Sequence, residues 1–571
     1  MIDLVDRAMP HLIVAPIVLP LAAAAVMLAL GERWRAARAL VNVAATGALL
    51  AIAVALASWV DRHGAPGSIG VYLPSNWPVP YGIVLVVDRL AAMMLVLTGV
   101  LGLASVLYAT ARWHRAGIHF HPLFQLQLMG LSGAFLTADL FNLFVFFEVM
   151  LAASYGLLLH GSGVARVRAG LHYIAINLLA SALFLVGVAM LYGVTGTLAM
   201  ADVAAKLPSV PAADWGLLQA GVAILAVAFL AKAAIWPLGF WLVPAYAAAG
   251  APAAAMFAIM TKVGVYAVVR VWTLLFPADG TPAGFGADVL VAGGLVTLAF
   301  GALGVMASQR VGRLAGFAVI ASSGTLVAAT GLGLPALTGG ALYYLVSSTL
   351  AVSALFLLVE LIERSRAVEA GPDGEAEDEE DYPLPFAIER LELPRGVNLD
   401  DDERALVGKV FPAATAFLGL SFVACALLIA GLPPLSGFVA KVGMIAALLG
   451  PPSPEAAASG TVSAGGWALA AGLIASGLAS AIGLLRAGVR HFWAPHERAV
   501  PHLRLVECVP IALLIVACAA LTVAAEPAWR YALATAEALH RPSAYIEAVM
   551  AARPVPPPAA PRHVVRAEEG R

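Results

Sequence analysis

Hydrophobic positions in this chain form continuous runs of about 20 residues that recur from one end to the other. A run of this length, folded as an α-helix, crosses the roughly 30 Å hydrocarbon core of a bilayer. Short segments rich in Arg, Asp, Gly and Pro separate the runs. The pattern predicts an all-α integral membrane protein with about 14 transmembrane helices.

The predicted spans are residues 12–30, 37–60, 83–108, 122–138, 140–160, 169–194, 216–244, 250–275, 287–308, 314–334, 338–363, 409–449, 465–486 and 507–526. The run 409–449 is too long for one straight helix and contains Pro433 and Pro434, so we expect a broken helix there. Pro237 interrupts the seventh span in the same way, and the residues after the two breaks weakly resemble each other. Broken helices in corresponding regions mark ion sites in transporters and indicate a duplicated unit of five spans.

Positive charges concentrate in the loops that follow odd-numbered spans, and few lie in the others. They are Arg33, Arg35, Arg38, Arg112, Arg115, Arg166, Arg168, Arg310, Arg313, Arg486, Arg490, Arg498 and Arg504. The positive-inside rule then makes these loops cytoplasmic and puts both termini outside, in an inner membrane. Because arginines follow the first apolar run instead of a small-residue cleavage site, we expect that run to be a retained span and not a removed signal peptide.

Composition excludes several classes of protein. Of 571 residues, 61% are hydrophobic and 12% are charged, whereas soluble domains are about one quarter charged. The net charge of -2, without a basic patch, argues against nucleic-acid binding. Cys425, Cys508 and Cys518 lie in apolar runs without paired spacing, which argues against a disulfide framework. No phosphate loop, Ser-His-Asp set or His/Cys metal cluster stands out, so we expect no cofactor and no metal.

One long hydrophilic segment, residues 364–408, contains two acidic runs, 375–381 and 400–403. It is expected to be a solvated cytoplasmic insertion, or alternatively a surface for docking or for attracting cations. The Pro-rich tail after Arg553 is typical of a disordered end.

Four charged residues fall near the middle of predicted spans: Glu148, Lys232, Lys262 and Lys441. A charge at mid-bilayer costs about 2.5–3.5 kcal/mol, so each must face the protein interior, find a partner or act. Structural ion pairs or snorkelling are the alternative for any one of them. Desolvation favours a neutral amine and a nearby carboxylate favours the ammonium, so a lysine with a movable glutamate can bind and release a proton. Glu148 and Lys232 are the natural pair.

Other ionisable residues lie nearer to span ends. We expect Asp88, Asp139 and Arg270 to snorkel to the interface. His172 is either a loop-facing residue or a group through which protons enter. Glu360 and Glu363, at the end of the eleventh span, are expected in water.

Four segments around these charges resemble the D subunit of Mrp-type multisubunit sodium/proton antiporters, a family homologous to the antiporter-like subunits of respiratory complex I. The segments are Phe144-Val145-Phe146-Phe147-Glu148-Val149-Met150, Lys232 with Trp236-Pro237-Leu238, Thr261-Lys262-Val263-Gly264-Val265-Tyr266-Ala267, and Gly431-Leu432-Pro433-Pro434-Leu435-Ser436-Gly437-Phe438 with Lys441. The resemblance covers roughly residues 80 to 490. It implies fourteen helices with two inverted five-helix repeats, helices 7 and 12 being broken, and a proton path along a mid-membrane polar axis. It further implies that Glu148 tunes Lys232, that Lys262 relays laterally and that Lys441 serves the second half-channel.

The implied organisation has four parts. Residues 1–110 form three N-terminal helices, 122–275 the first repeat (helices 4–8) and 287–486 the second (helices 9–13). The second repeat contains the acidic insertion 364–408. Residues 507–571 form the last helix and the Pro-rich tail.

Two positions depart from the family pattern. Ser347 stands where members usually carry a histidine, and it can hold a water but cannot itself be protonated. No histidine follows Pro237 as it often does in the complex I relatives, which favours the Mrp-type assignment.

The favoured function is a subunit of a cation/proton antiporter that works with other subunits and moves protons and sodium. The alternatives are a proton-pumping membrane-arm subunit of a redox complex, such as complex I or a membrane-bound hydrogenase, and a non-transporting scaffold. The scaffold would have no need for four mid-membrane charges.

Overall fold

The computed structural model describes residues 2–63, 68–113, 117, 119–161, 163–277, 284–369, 413–450, 462–493 and 503–555. Within these ranges the α-helices are α1 (Ile2–Ala29), α2 (Arg35–Arg62), α3 (Arg89–Ala109), α4 (Phe120–Leu136), α5 (Leu140–Leu159), α6 (Val164–Thr195), α7 (Met200–Lys206), α8 (Trp215–Lys232), α9 (Leu242–Ala248), α10 (Ala251–Leu275), α11 (Ala287–Ala307), α12 (Val311–Gly331), α13 (Pro335–Glu369), α14 (Ala413–Ala430), α15 (Ser436–Leu449), α16 (Ala464–Gly488), α17 (Leu505–Val523), α18 (Ala525–His540) and α19 (Ser543–Met550). Two short strands, β1 (Gly70–Tyr72) and β2 (Leu85–Val87), pair antiparallel.

Thirteen helices in the described ranges are long and apolar enough to cross a membrane. The fourth predicted span corresponds to α4, which has 17 residues and is slightly shorter than the others. Each of the remaining predicted spans matches one helix, or one pair of helices where a break was expected. The prediction of an all-α membrane protein is therefore confirmed, while the inversion of the repeats stays a prediction.

Both predicted breaks are present. Helix α8 ends at Lys232 and the chain resumes helical structure only at Leu242, with a cis bond before Pro237. Helix α14 ends at Ala430 and α15 begins at Ser436, with a cis Pro433-Pro434 bond between them. Proline has no N–H and its ring clashes with the preceding turn, so neither helix can continue through these positions.

Contacts between loops agree with the sequence prediction that loops after odd-numbered spans lie at one end of the bundle and loops after even-numbered spans at the other. At one end, loops that follow odd-numbered spans contact each other: Arg166 donates to the Ala248 carbonyl (2.9 Å) and Arg504 to the Ala111 carbonyl (3.0 Å). At the other end, loops after even-numbered spans meet, because Asp139 forms a β-bridge with Ala199. Every one of these contacts joins loops that the span count places on the same side.

Asp88, Asp139 and Arg270 at that second end have protein partners and do not snorkel, so the expectation for all three is wrong. Arg270 is buried and donates to both carboxylate oxygens of Asp88, at 2.6 and 2.8 Å. Asp139 caps α5 by accepting from the Asn142 backbone N–H at 2.7 Å. A buried partner satisfies a charge as well as water does, and span position alone cannot distinguish the two cases.

The C-terminal region holds two helices that the apolar pattern did not predict. After α17, the helices α18 and α19 pack against the end of the bundle where Asp88 and Arg270 lie. The Tyr531 hydroxyl donates to the Arg89 carbonyl (2.9 Å), and the ring of the buried Tyr545 lies 5.2 Å from the Arg270 guanidinium. A search for long apolar runs does not detect short amphipathic helices, which explains the omission. The acidic runs and the residues after 555 lie outside the described ranges.

Candidate functional site

Lys232 is the last residue of α8 and lies at the first break, with only 4% of its surface exposed. Its ammonium donates to the Ser181 hydroxyl at 3.1 Å and lies 3.8 Å from Glu148 Oε1. The ring of Phe147 is 5.0 Å from the same nitrogen. The structure therefore brings together Glu148 and Lys232, the pair expected from the sequence.

Ser181 joins the members of this pair and was not identified from the sequence. Its hydroxyl donates to Glu148 while it accepts from Lys232. Tyr173, Asn177 and Ser181 follow each other at intervals of four on α6, which places them on one helical face. A polar stripe at this spacing in an apolar helix is the signal that could have revealed the serine.

Lys262 lies on α10, and it is 2% exposed. Its ammonium donates to the hydroxyls of Ser322 (2.9 Å) and Ser323 (3.3 Å) on α12. Across the described part of the chain, no carboxylate forms an ion pair with it. The buried amine is therefore held by neutral hydroxyls, an arrangement that balances an ammonium less fully than a carboxylate does.

A small cavity of about 10 Å³ lies beside Lys232. Its lining includes Lys232, Asn177, Tyr246 and Thr261, the last of which precedes Lys262 in the chain. The Tyr246 and Thr261 hydroxyls are hydrogen-bonded at 2.7 Å. A polar cavity of this size is at the lower limit for one water molecule.

Two neighbouring serines on α13 contact, respectively, the serine that binds Lys262 and the first residue of α15. Ser348 lies 2.9 Å, hydroxyl to hydroxyl, from Ser322, and Ser347 lies 2.8 Å from Ser436 at the start of α15. Adjacent positions on one helix thus face two different neighbours. Ser347, which stands where the family pattern has a histidine, therefore contacts the start of the helix that carries Lys441.

Lys441 lies on α15 beyond the second break and is 8% exposed. Its ammonium reaches back to the end of α14 and donates to the Ala430 carbonyl at 2.8 Å. The last carbonyls of a helix lack intrahelical partners and carry partial negative charge, so they stabilise a cation. Gly477 permits this approach, because a Cβ there would lie 3.2 Å from the lysine nitrogen.

The four residues identified from the sequence therefore lie in separate hydrogen-bonded groups around Lys232, Lys262 and Lys441, and only Glu148 and Lys232 form a direct ion pair within the described ranges. The other candidates from the sequence are not among these groups. His172 is exposed on α6. Glu360 is partly buried and accepts from the Trp113 indole at 2.8 Å, so the expectation of a simple water-facing carboxylate is wrong.

Comparison with known proteins identifies the class. Residues 137–371 match the family described as "NADH:quinone oxidoreductase/Mrp antiporter, TM". The D subunit of a probable K(+)/H(+) antiporter from Rhizobium meliloti is 51% identical over 95% of this chain and 98% of its own length. The D subunit of the Na(+)/H(+) antiporter from Alkalihalophilus pseudofirmus is 32% identical over 95% and 100%.

A solved structure agrees. A chain of the Mrp complex from Dietzia sp. DQ12-45-1b superposes with a TM-score of 0.76 at 26% identity, covering 95% of this chain and 99% of that one. This protein is a multi-pass membrane subunit of the multisubunit antiporter class. The chain belongs to the family of Mrp-type antiporter D subunits.

Proposed function

We propose that this subunit carries protons along the row formed by Glu148, Lys232, Lys262 and Lys441, in exchange for a monovalent cation. The observation that carries the proposal is that three buried lysines, each costly to desolvate, are held by side-chain hydroxyls or a backbone carbonyl, and that within the described ranges only Lys232 also forms an ion pair with a carboxylate. A purely structural set would be expected to pair each charge with a carboxylate.

Protonation changes would pass between these groups as follows. When Glu148 approaches Lys232 it favours the ammonium, and when it withdraws it favours release of the proton. The cavity lined by Lys232 and Thr261 offers a place for a water beside Lys232, next to the residue that precedes Lys262 in the chain. Hydroxyls of Ser348 and Ser347 can each donate and accept, which is the property a relay between Lys262 and Lys441 requires.

We place the protein in the inner membrane with the arginine-rich loops in the cytoplasm and both termini outside, because the positive charges follow the parity of the loops. The exchanged cation is sodium or potassium. The relatives from Rhizobium meliloti and Alkalihalophilus pseudofirmus are described as K(+)/H(+) and Na(+)/H(+) antiporter subunits respectively.

The test uses inverted membrane vesicles from a host that lacks its own antiporters and expresses the complete complex. A pH-sensitive dye inside the vesicles reports proton movement when sodium or potassium is added. Proton movement driven by either cation, and absent without the complex, supports the proposal. If proton movement instead requires a redox substrate, the subunit belongs to a redox-coupled complex and the proposal is wrong.

A further inference from the structure

A cavity of about 780 Å³ opens at the end of the bundle where the arginine-rich loops lie. It lies between the start of α6, the short helix α9 and the start of α12. The lining residues that matter for its chemistry are Arg168, His172, Phe240, Arg310 and Arg313. We call it the basic cavity.

The basic cavity is positively charged for two independent reasons. Three arginines line it, and no Asp or Glu is among its described lining residues. In addition, α6 and α12 begin beside it, at Val164 and Val311, and a helix N-terminus presents unpaired N–H groups and a partial positive charge. Both features favour an anion with oxygen acceptors.

The same cavity extends from the surface toward the membrane interior. Its lining on α6 runs from Val164 to His172, a depth of about 12 Å at the rise of an α-helix. Phe240 lines the cavity at the first break and leaves 58% of its surface exposed, and Leu171, which is not a lining residue but follows Arg168 by about one turn of α6, leaves 64%. An apolar surface therefore continues next to the cationic one.

We propose that the basic cavity binds the headgroup of an anionic phospholipid, with an acyl chain lying along Phe240 and Leu171. Arginine binds phosphate oxygens in a bidentate manner, and basic pockets between transmembrane helices on the cytoplasmic side accept such headgroups. A free phosphate ion would use the charges but would leave the adjoining apolar surface uncovered. The combination fits a lipid better than a soluble anion.

The location gives the lipid a link to the proposed proton path. Trp241 lines the cavity, and its indole donates to the Ala231 carbonyl at 3.2 Å, one residue before Lys232. A lipid seated against α9 would therefore hold the break next to Lys232. This effect on transport rests on the proposed function, whereas lipid binding itself does not.

The experiment measures lipid binding to the delipidated, intact complex by native mass spectrometry, with phosphatidylglycerol and phosphatidylcholine as probes and inorganic phosphate as competitor. The variant is Arg168→Gln combined with Arg310→Gln and Arg313→Gln. Arg33→Gln with Arg35→Gln is the matched control, because both arginines are exposed in a loop of the same parity and do not line the cavity.

We expect the triple variant to bind phosphatidylglycerol about tenfold more weakly or worse, since each arginine near a membrane surface contributes to anionic-lipid affinity. The control should bind it normally, and three lysines in place of the arginines should restore part of the affinity. Arg168→Gln alone serves if the triple variant does not assemble, and Phe240→Ala should weaken lipid binding without changing phosphate binding.

Four results would overturn the proposal. Equal binding of phosphatidylglycerol by the triple variant and the parent would show that the cavity is not the site. Equal binding of phosphatidylcholine would show that the headgroup charge is irrelevant. Full competition by inorganic phosphate would show that the acyl chain is irrelevant. A photocross-linker at position 168 that captures another subunit in the intact complex would make the cavity a protein interface. Normal lipid binding in a transport-inactive complex would leave this proposal standing while the proposed function fails.

Discussion

The two helix breaks hold a buried lysine in different ways. At the first break Lys232 ends the first half-helix and is bound by a carboxylate and a hydroxyl, from Glu148 and Ser181. At the second break Lys441 lies on the second half-helix and is bound by the terminal Ala430 carbonyl of the first. Lys232 therefore pairs with a side chain that can change its charge or position, while Lys441 binds the end of a helix whose dipole is fixed.

This difference suggests different tasks for the two lysines. A carboxylate on another helix can approach or withdraw, so the proton affinity of Lys232 can be switched. A helix C-terminus is a constant environment worth at most about 2 kcal/mol to a cation. We therefore expect the first site to control proton exchange and the second to pass protons on, and variants at each break separate these tasks.

The largest effect is expected from Lys232→Ala, which should reduce cation-driven proton movement to the level of vesicles without the complex. The variant removes the lysine amine from the first break, and assembly should persist because alanine removes a buried charge without introducing a new polar group. Dye-reported transport and the yield of purified complex are the measurements. Lys206→Ala, on the partly exposed lysine that pairs with Asp202, is the control. Near-normal transport in the Lys232 variant would contradict the proposed role of Lys232 in proton transfer.

Glu148→Gln should lower transport by about tenfold, because the amide preserves shape and removes the charge that stabilises the ammonium. Ser181→Ala, which leaves the charge and removes the bridging hydroxyl, should have a smaller effect of about three- to fivefold. Both are measured as initial rates of proton movement against cation concentration. If the glutamine variant transports as well as the parent, the pair is structural and the two breaks do not differ in their tasks.

Gly477→Ala tests the second break without removing its lysine. The added methyl group would lie 2.8 Å from the Ala430 carbonyl and 3.2 Å from the Lys441 nitrogen, so it separates the two. We expect transport to fall by about threefold to tenfold, because the methyl group weakens one charge-assisted hydrogen bond without removing either partner. Gly472→Ala on the same helix, whose methyl group meets only the Leu298 side chain, is the control. Equal behaviour of the two glycine variants would show that contact with the helix end is not needed.

An effect as small as that of Ser181→Ala is expected from Ser348→Ala, which removes the hydroxyl that contacts Ser322. A neutral hydrogen bond is worth about 1 kcal/mol, which corresponds to about fivefold in rate if it lies on the path. Ser353→Ala, on a buried serine of α13 that donates to the Ala255 carbonyl, is the control. Ser348→Thr, which retains a hydroxyl, should recover most of the activity. An alanine variant as fast as its control would place the path elsewhere.

Much of the site could be predicted from the sequence, but its connections could not. The four charged residues stand out because a charge inside a long apolar run is rare and costly. Ser322 and Ser348 do not stand out, since serines in membrane helices commonly bond to their own backbone. Their roles depend on which face each helix turns toward its neighbour.

The sequence by itself determined the class of protein, the spans and the two breaks, because apolar length and proline are local properties that act on their own helix. Only the tertiary structure decided which groups hold each charge. Lys262 meets a serine 60 positions away, and Arg270 meets an aspartate 182 positions away. Such partners are chosen by helix packing in space, which no run of neighbouring residues encodes. The same reason explains why Arg270, expected to snorkel to water, lies buried against Asp88.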